Sequence, residues 1–199
     1  SVYQIKPLGV VLPKDTNDVL SLMEYSQKNS VPLLARGGGS SQCGQTVGES
    51  VVLDYSKHQN KILELNVEEK YVWVQPGVVL DHLNAYLKPH GLWFPVDVST
   101  SSRATIGGMS ANNSCGSRSL YYGNMVHNVL AIEAILDDGS IFNFDQINKN
   151  YLATKNNQDR LYKIIDKFID VRQQVGGEID ANWPTTQRRV GGYNIDLID

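Results

Sequence analysis

An α+β fold built around a ligand cleft is what this 199-residue chain predicts, and three observations carry the reading. Candidate strands outnumber candidate helices and do not strictly alternate with them, as they would in a doubly wound sheet. Two stretches, 36–41 and 93–128, are crowded with Gly, Ser and Asn but hold apolar residues such as Ile106 and Met109. The hydrophobic fraction of 41% and charged fraction of 20% are those of an ordinary globular chain with a core to bury. Disorder as the main state is excluded by that composition. No run approaches the roughly 18 apolar residues of a membrane span. A net charge of −3 with scattered Lys and Arg excludes a basic nucleic-acid module.

The elements follow in order. Val10–Leu12, closed by Pro13, reads as a short strand. Residues 15–29 read as a helix, because Val19, Leu22, Met23 and Ser26 recur at i, i+3, i+4 and i+7 and Asp15 or Thr16 can cap the start. Val31–Ala35 is a compact apolar run, expected to be a buried strand, and it empties straight into glycines. Ser50–Asp54 is the next strand. Lys61–Asn66 and Lys70–Gln75 alternate apolar and polar residues as paired strands. Val79–Lys88 is a short amphipathic helix with Leu80, Leu83 and Leu87 on one face, stopped by Pro89 and Gly91. Residues 93–128 are expected to be irregular. Val129–Leu136 is expected to be a buried strand that turns at Asp137-Asp138-Gly139 into Ser140–Phe144. A helix from about Asp159 to Val175 carries the apolar stripe Leu161, Ile164, Ile165, Phe168 and Ile169, with Gly176-Gly177 expected to stop it. Residues 178–199 show no periodicity.

Length alone allows one to two domains. The division predicted is 1–60, 61–177 and a tail 178–199. Cys43 and Cys115 cannot build a disulfide framework or a four-ligand zinc site, and His58, His82, His90 and His127 show no metal-ligand spacing. No metal site is expected. The two cysteines read as small packing residues, His127 as a structural histidine, Trp73 and Trp93 as packing residues, and Arg188-Arg189 as a solvated pair.

Gly37-Gly38-Gly39 follows a strand and leads into Ser40 and Ser41. Glycine lets a backbone approach a ligand closely, successive N–H groups form an anion-binding nest, and the hydroxyls add donors. The loop therefore suits a phosphate or pyrophosphate, with Arg36 either pairing with it or bracing the loop. A Walker A loop is excluded because no lysine follows in the right place. A Rossmann fingerprint is excluded because Gln42 stands where the third glycine belongs. The second loop runs from Pro95 through Gly108 to Asn112-Asn113-Ser114-Cys115-Gly116. It offers hydroxyls, amides and close backbone approach to a flat heteroaromatic ring.

The segments Leu34-Ala-Arg-Gly-Gly-Gly-Ser-Ser41, Val74-Gln-Pro-Gly-Val78 and Pro89-His-Gly-Leu-Trp-Phe-Pro95 resemble the FAD-binding domain of FAD-linked oxidases. So do Ala104-Thr-Ile-Gly-Gly108, Tyr122-Gly123 and Ala131-Ile-Glu-Ala-Ile-Leu-Asp-Asp-Gly139. The resemblance is to the vanillyl-alcohol-oxidase-like (PCMH) fold with two α+β subdomains, in the glycolate oxidase and D-lactate dehydrogenase branch. It covers roughly residues 7–145. Asn112–Gly116 and the tail Arg188-Arg-Val-Gly-Gly-Tyr-Asn194 are similar to large bacterial members with an appended iron–sulfur domain.

The resemblance implies that Gly37, Gly38, Gly39, Ser40 and Ser41 wrap the FAD pyrophosphate, with Arg36 and Gln42 as further candidate cofactor-binding residues, and that Pro76 and Gly77 shape the adenine end. Pro95–Ser99, which includes Asp97 and Val98, and Ser102–Gly108 would line the ribityl and ring region, with Thr105 near the isoalloxazine and Gly107 and Gly108 beside it. Asn112, Asn113, Ser114 and Gly116 would complete that wall, and Ile135 would offer backbone groups. Covalently flavinylated relatives carry a histidine where this chain has Ser40, so non-covalent FAD is implied. The chain starts at Ser1 and ends at Asp199 without the Glu-Gly-Thr-Leu-Gly-like segment of the family. It therefore reads as a piece lacking the substrate domain, and no catalytic residue is assigned.

The function implied is the FAD domain of a dehydrogenase oxidising a D-2-hydroxy acid by hydride transfer. Electrons would pass to an iron–sulfur centre or a quinone, in the cytoplasm or peripheral to the inner membrane. Two alternatives stay open: the same flavin fold in another reaction, as in enolpyruvyl reductases or molybdenum hydroxylase subunits, or a non-catalytic nucleotide-binding module that has lost flavin.

Overall fold

Asp15 starts the first helix, α1 (Thr16–Asn29), by accepting hydrogen bonds from the backbone N–H groups of Asn17 at 2.8 Å and Asp18 at 3.1 Å. A carboxylate there satisfies donors that have no partner inside the helix. The computed structural model describes residues 2–145, 160–186, 188–189 and 193–197. Contacts divide it into two units, Ser1–Val129 with Asp137–Ser140, and Leu130–Leu136 with Ile141–Asp199.

In the first unit, α1 links β1 (Gly9–Val11) to β2 (Leu33–Arg36), and β3 (Val51–Asp54) lies between those strands in a parallel sheet of order β1-β3-β2. Gly9 and Leu33 both face Val51, and Arg36 faces Asp54. Only the central strand is deeply buried, at Val52 and Leu53. The expectation of a buried strand at 31–35 is corrected: β2 has one neighbour in its sheet, its residues are half-buried and Ala35 is exposed. Edge position outweighs apolar composition.

The hairpin β4 (Ile62–Asn66) and β5 (Tyr71–Val74) pairs antiparallel, with an irregularity between Ile62 and Glu64. Its inward residues meet α2 (Leu80–Leu87), whose Leu83 and Leu87 join Val78 in one apolar cluster with Ile62, Leu65, Val72 and Val74. Leu80, on the same helix, belongs to a second cluster with Val96, Ala104, Met109 and Met125. One short helix thus ties the hairpin to the segment 95–109, where the sequence concentrates its site residues.

Residues 93–128 are not wholly irregular. They contain α3 (Ile106–Ala111), α4 (Ser119–Tyr122) and α5 (Met125–Asn128). Each is too short to show a 3.6-residue pattern, and each is held by tertiary contacts or local caps. Thr105 caps α3, and Met109 and Met125 are anchored in the core. His127 accepts a hydrogen bond from the Asn124 backbone N–H at 3.0 Å, a structural role as expected. Trp93 is 42% exposed rather than packed in the core. The Arg118 guanidinium lies 5.0 Å from its ring centre and Tyr122 meets it edge-on.

In the second unit, β6 (Ile132–Ile135) and β7 (Ile141–Phe144) form the expected hairpin, with Ile135 facing Ile141. The strand is shorter than 129–136 and not buried, since Ile132 and Glu133 are exposed. The long helix α6 (Arg160–Asn182) does not stop at Gly176-Gly177. Arg172 donates to the Gly176 carbonyl and pairs with Asp180 at 3.0 Å, while Ile179 is buried beyond the glycines. Those contacts outweigh a propensity cost of about 1 kcal/mol per glycine. The expected start of this helix at Asp159 lies outside the described residues, as do residues 190–192 of the tail. Arg189 is not solvated: it pairs with Asp196 and lies over the Trp183 ring.

Candidate cofactor-binding site

β2 delivers its last residue, Arg36, to the rim of the sheet, and the chain leaves as the glycine run. There is no space for side chains there. A Cβ on Gly37 would stand 1.9 Å from the Thr105 hydroxyl oxygen, and one on Gly38 would stand 2.1 Å from the Arg103 carbonyl oxygen. Gly39 has φ +62°, a backbone conformation that favours glycine. The loop is therefore pressed against 103–105, Gly37 on the Thr105 side chain and Gly38 on the Arg103 backbone.

That second segment is clamped from its other side. Ile106 N donates to the Val78 carbonyl at 2.8 Å, Gly107 N to the Pro76 carbonyl at 2.9 Å, and Leu80 N to the Ala104 carbonyl at 3.0 Å. Gly77 is buried in turn against residues 55 and 59, donating to the Gln59 carbonyl at 2.8 Å. Thr105, 1% exposed, sits at the centre of the clamp. The sequence-predicted residues Gly37–Ser40, Pro76, Gly77, Thr105 and Gly107 are thus brought together, although about 70 residues separate the ends of the set.

Between the two segments is a cleft of about 340 Å³ lined by Val2, Gly38, Gly39, Ser40, Gln42, Thr100 and Arg103. The Thr100 hydroxyl donates to Ser40 Oγ at 3.3 Å across it. The lining includes one basic residue, Arg103, and no acidic one. Behind Gly39 lies the Arg36 guanidinium, whose Nε is buried without a hydrogen-bond partner. A buried donor without a partner is uncommon in a folded chain. A glycine cradle, two arginines and an unmatched donor are the chemistry of an anion site, and they fit the diphosphate of FAD.

The remaining predicted residues divide into groups. Asn112 accepts from Gln45 at 3.2 Å and donates to Ser114 Oγ at 3.3 Å, which joins the two loops. Asn113 accepts from the Val126 N–H at 3.1 Å, and Ser114 is buried with backbone bonds to Met109 and Met125. Asp97 accepts from the Ser117 hydroxyl at 2.7 Å and the Arg118 N–H at 2.9 Å. Burial pushes its carboxyl up, but those hydrogen bonds and the Arg118 charge outweigh burial and hold it below the ordinary value. It packs against Gly116, where a Cβ would stand 2.0 Å from the Asp97 carbonyl oxygen. Pro95 and Val98 are half-buried, Val98 against the core cluster of Leu80, while Ser99, Ser102 and Gly108 are exposed. Ser41 accepts from the Cys43 N–H. Ile135 lies on β6 in the second unit.

Sequence reasoning misses Val2 and Thr100. Thr100 stands inside a run of hydroxyl residues that already signalled the site. Val2 carries no local signal. Cys43 is exposed and Cys115 half-buried, and both are free thiols. Among the described residues no group of His, Cys, Asp and Glu could hold a metal ion, and no helix is long and apolar enough to cross a membrane.

Residues 7–145 match the family described as FAD binding domain. Over 208 aligned positions the chain is 42% identical to a D-2-hydroxyglutarate dehydrogenase of Haemophilus influenzae, covering 100% of this chain and 20% of that protein. It is 40% identical over 140 positions to the mitochondrial D-lactate dehydrogenase [cytochrome] of Kluyveromyces lactis, covering 68% of this chain and 24% of that one. The solved structure of 6-hydroxy-D-nicotine oxidase from Arthrobacter nicotinovorans aligns with a TM-score of 0.64 at 19% identity, over 72% of this chain and 31% of that chain, a likeness of fold alone. The chain spans about a fifth of the length of the curated relatives that match it from end to end. With the α+β fold, the cradle and the match over residues 7–145 in agreement, the chain belongs to the FAD-binding domain family of FAD-linked oxidases.

Proposed function

We propose that this chain holds FAD non-covalently for a dehydrogenase that oxidises a D-2-hydroxy acid. The observation that carries the reading is the cradle at Gly37–Gly39, pressed against 103–105 with the Arg36 Nε buried and unmatched behind it. Identity of 36–42% to D-2-hydroxyglutarate dehydrogenases over 98–100% of the chain supports the substrate class. Ser40 in place of the histidine of covalently flavinylated relatives supports non-covalent binding.

In this reading Arg36–Gln42 hold the diphosphate. Pro76 and Gly77 shape the adenine end, and Pro95, Asp97–Ser99, Ser102, Thr105, Gly107, Gly108, Asn112–Ser114 and Gly116 surround the ribityl chain and ring. When bound, the flavin supplies a two-electron acceptor for hydride from the substrate α-carbon. The chain's own work is to neutralise the diphosphate and orient the ring. By function, residues 1–60 form the pyrophosphate half, 61–177 the flavin half, and 178–199 the lead into a substrate domain. The electron acceptor proposed is an iron–sulfur centre or a quinone, with the enzyme in the cytoplasm or at the inner-membrane face.

Titration of the chain with FAD, with FMN and NAD as controls, tests the reading. Saturable binding of FAD, lost in Gly38→Asp, is the expected result, because any side chain there collides with the Arg103 carbonyl and a carboxylate also repels the diphosphate. A chain that binds neither FAD nor FMN overturns it.

A further inference from the structure

The family match begins at residue 7, yet one wall of the candidate cleft comes from before that point. Val2 lines the cleft with Gly38, Gly39, Ser40 and Arg103. One residue further on, the Tyr3 ring lies over Gly44, in the same loop as the cradle. A Cβ on Gly44 would stand 2.9 Å from Tyr3 Cδ2 and 3.3 Å from Cε2. Gly44 also has φ +88°, so this position is closed to side chains on both counts. The arm as a whole stays largely open to solvent: Val2 is 76%, Tyr3 57% and Ile5 44% exposed. Beyond Pro7 the chain joins the body, where Leu8 N donates to the Ser50 carbonyl at 2.9 Å and β1 begins.

The geometry points to residues 2–6 as an arm that covers the outer side of the diphosphate pocket and slows escape of the cofactor, an inference that rests on the FAD reading above. Val2 brings an apolar group to a rim otherwise made of glycines, hydroxyls and Arg103. It displaces water there, and contacts between the arginines and an anion strengthen as the local dielectric falls. Tyr3 holds Val2 in place by covering Gly44, which has no side chain to obstruct it. A cover of this kind acts chiefly on the dissociation rate, which is where most affinity differences within one site reside.

The test is FAD dissociation from the full chain, followed by flavin fluorescence. Tyr3→Ala raises the dissociation rate about tenfold, the loss of one modest apolar contact. Tyr3→Phe keeps the ring and restores the wild-type rate. Val2→Asp and Val2→Lys remove the same apolar contact but differ in charge, so FAD leaves Val2→Asp faster than Val2→Lys. A residue with only a structural role does not produce that order. Equal rates in wild type, Tyr3→Ala and Val2→Asp overturn the arm. Amide exchange over residues 38–44 without ligand is the second readout, and Tyr3→Ala accelerates it. If the wild-type chain binds no FAD, the flavin reading fails by itself. The exchange measurement then decides the arm: acceleration in Tyr3→Ala supports its seating on the loop, and unchanged exchange overturns it.

Discussion

Two of the chain's runs of adjacent glycines, 37–39 and 176–177, look alike on paper, and the structure uses them in opposite ways. Gly37 and Gly38 are pressed so tightly against 103–105 that a methyl group on either would overlap an oxygen atom. Gly176 and Gly177 lie inside α6, where a Cβ on Gly177 would meet nothing within 4 Å and one on Gly176 only the far end of Arg172. At the first pair glycine is required by its neighbours. At the second it is tolerated, because Arg172, Asp180 and Ile179 hold the helix across it. The meaning of a glycine thus lies in what surrounds it.

Substitution at Gly38 breaks the contrast with the largest effect. Gly38→Ala places a methyl group against a backbone carbonyl that cannot rotate away. We expect a loss of about 3 kcal/mol of stability in urea unfolding, at the upper end of overpacking costs, together with loss of FAD binding. A fully stable Gly38→Ala chain would falsify the cradle as drawn.

Arg36→Met is next, and it separates binding from bracing. The buried, unmatched Nε costs the unliganded chain desolvation that an apolar replacement avoids. Its unfolding midpoint without ligand therefore stays level or rises, while FAD affinity falls roughly ten- to a hundredfold, as for loss of one charge-assisted contact to phosphate. A midpoint that falls with unchanged FAD affinity would mean that Arg36 only braces the loop.

At the other glycine run the sign reverses. Gly177→Ala is expected to raise helix stability by about 0.5–1 kcal/mol through backbone entropy, read as a higher thermal midpoint with unaltered FAD affinity. A decrease would show that the run is needed where it stands.

The smallest effect concerns Asp97. Its carboxyl lies below the ordinary value in the fold because Ser117 and Arg118 donate to it in spite of burial. A depressed folded value adds stability at pH above the unfolded value of about 4, and the contribution is lost as pH falls through the folded value. Asp97→Asn should therefore show a shallower loss of thermal midpoint on acidification than wild type. Parallel acid limbs would remove Asp97 from the account.

Much of the fold was legible in the sequence because it is written in local patterns. The Asp15 cap, the Leu80–Leu83–Leu87 face of α2, the β4–β5 pairing and the Asp137–Gly139 turn each depend on residues close together in the chain. Two oxidase-like loops, spaced as in the FAD-linked family, were legible for the same reason. The misreadings share one cause. β2 looked buried because apolar content does not reveal that a strand will lie at an edge. α6 seemed to end at Gly176 because propensity does not register the contacts of Ile179. The single-turn helices within 106–128 escaped notice because four to six residues carry no period.

From the sequence by itself came the fold class, the family and the glycine run as a candidate anion site, since each rests on residue types at short or regular spacing. Only the tertiary structure decided that Thr105 faces Gly37, that Arg36 keeps an unmatched donor behind Gly39, and that Val2 lines the cleft. Those facts join positions up to about a hundred residues apart in the chain. Such contacts are chosen by close packing of the whole unit, where a methyl group or a single hydrogen-bond donor must find its space and partner among atoms that no local pattern names.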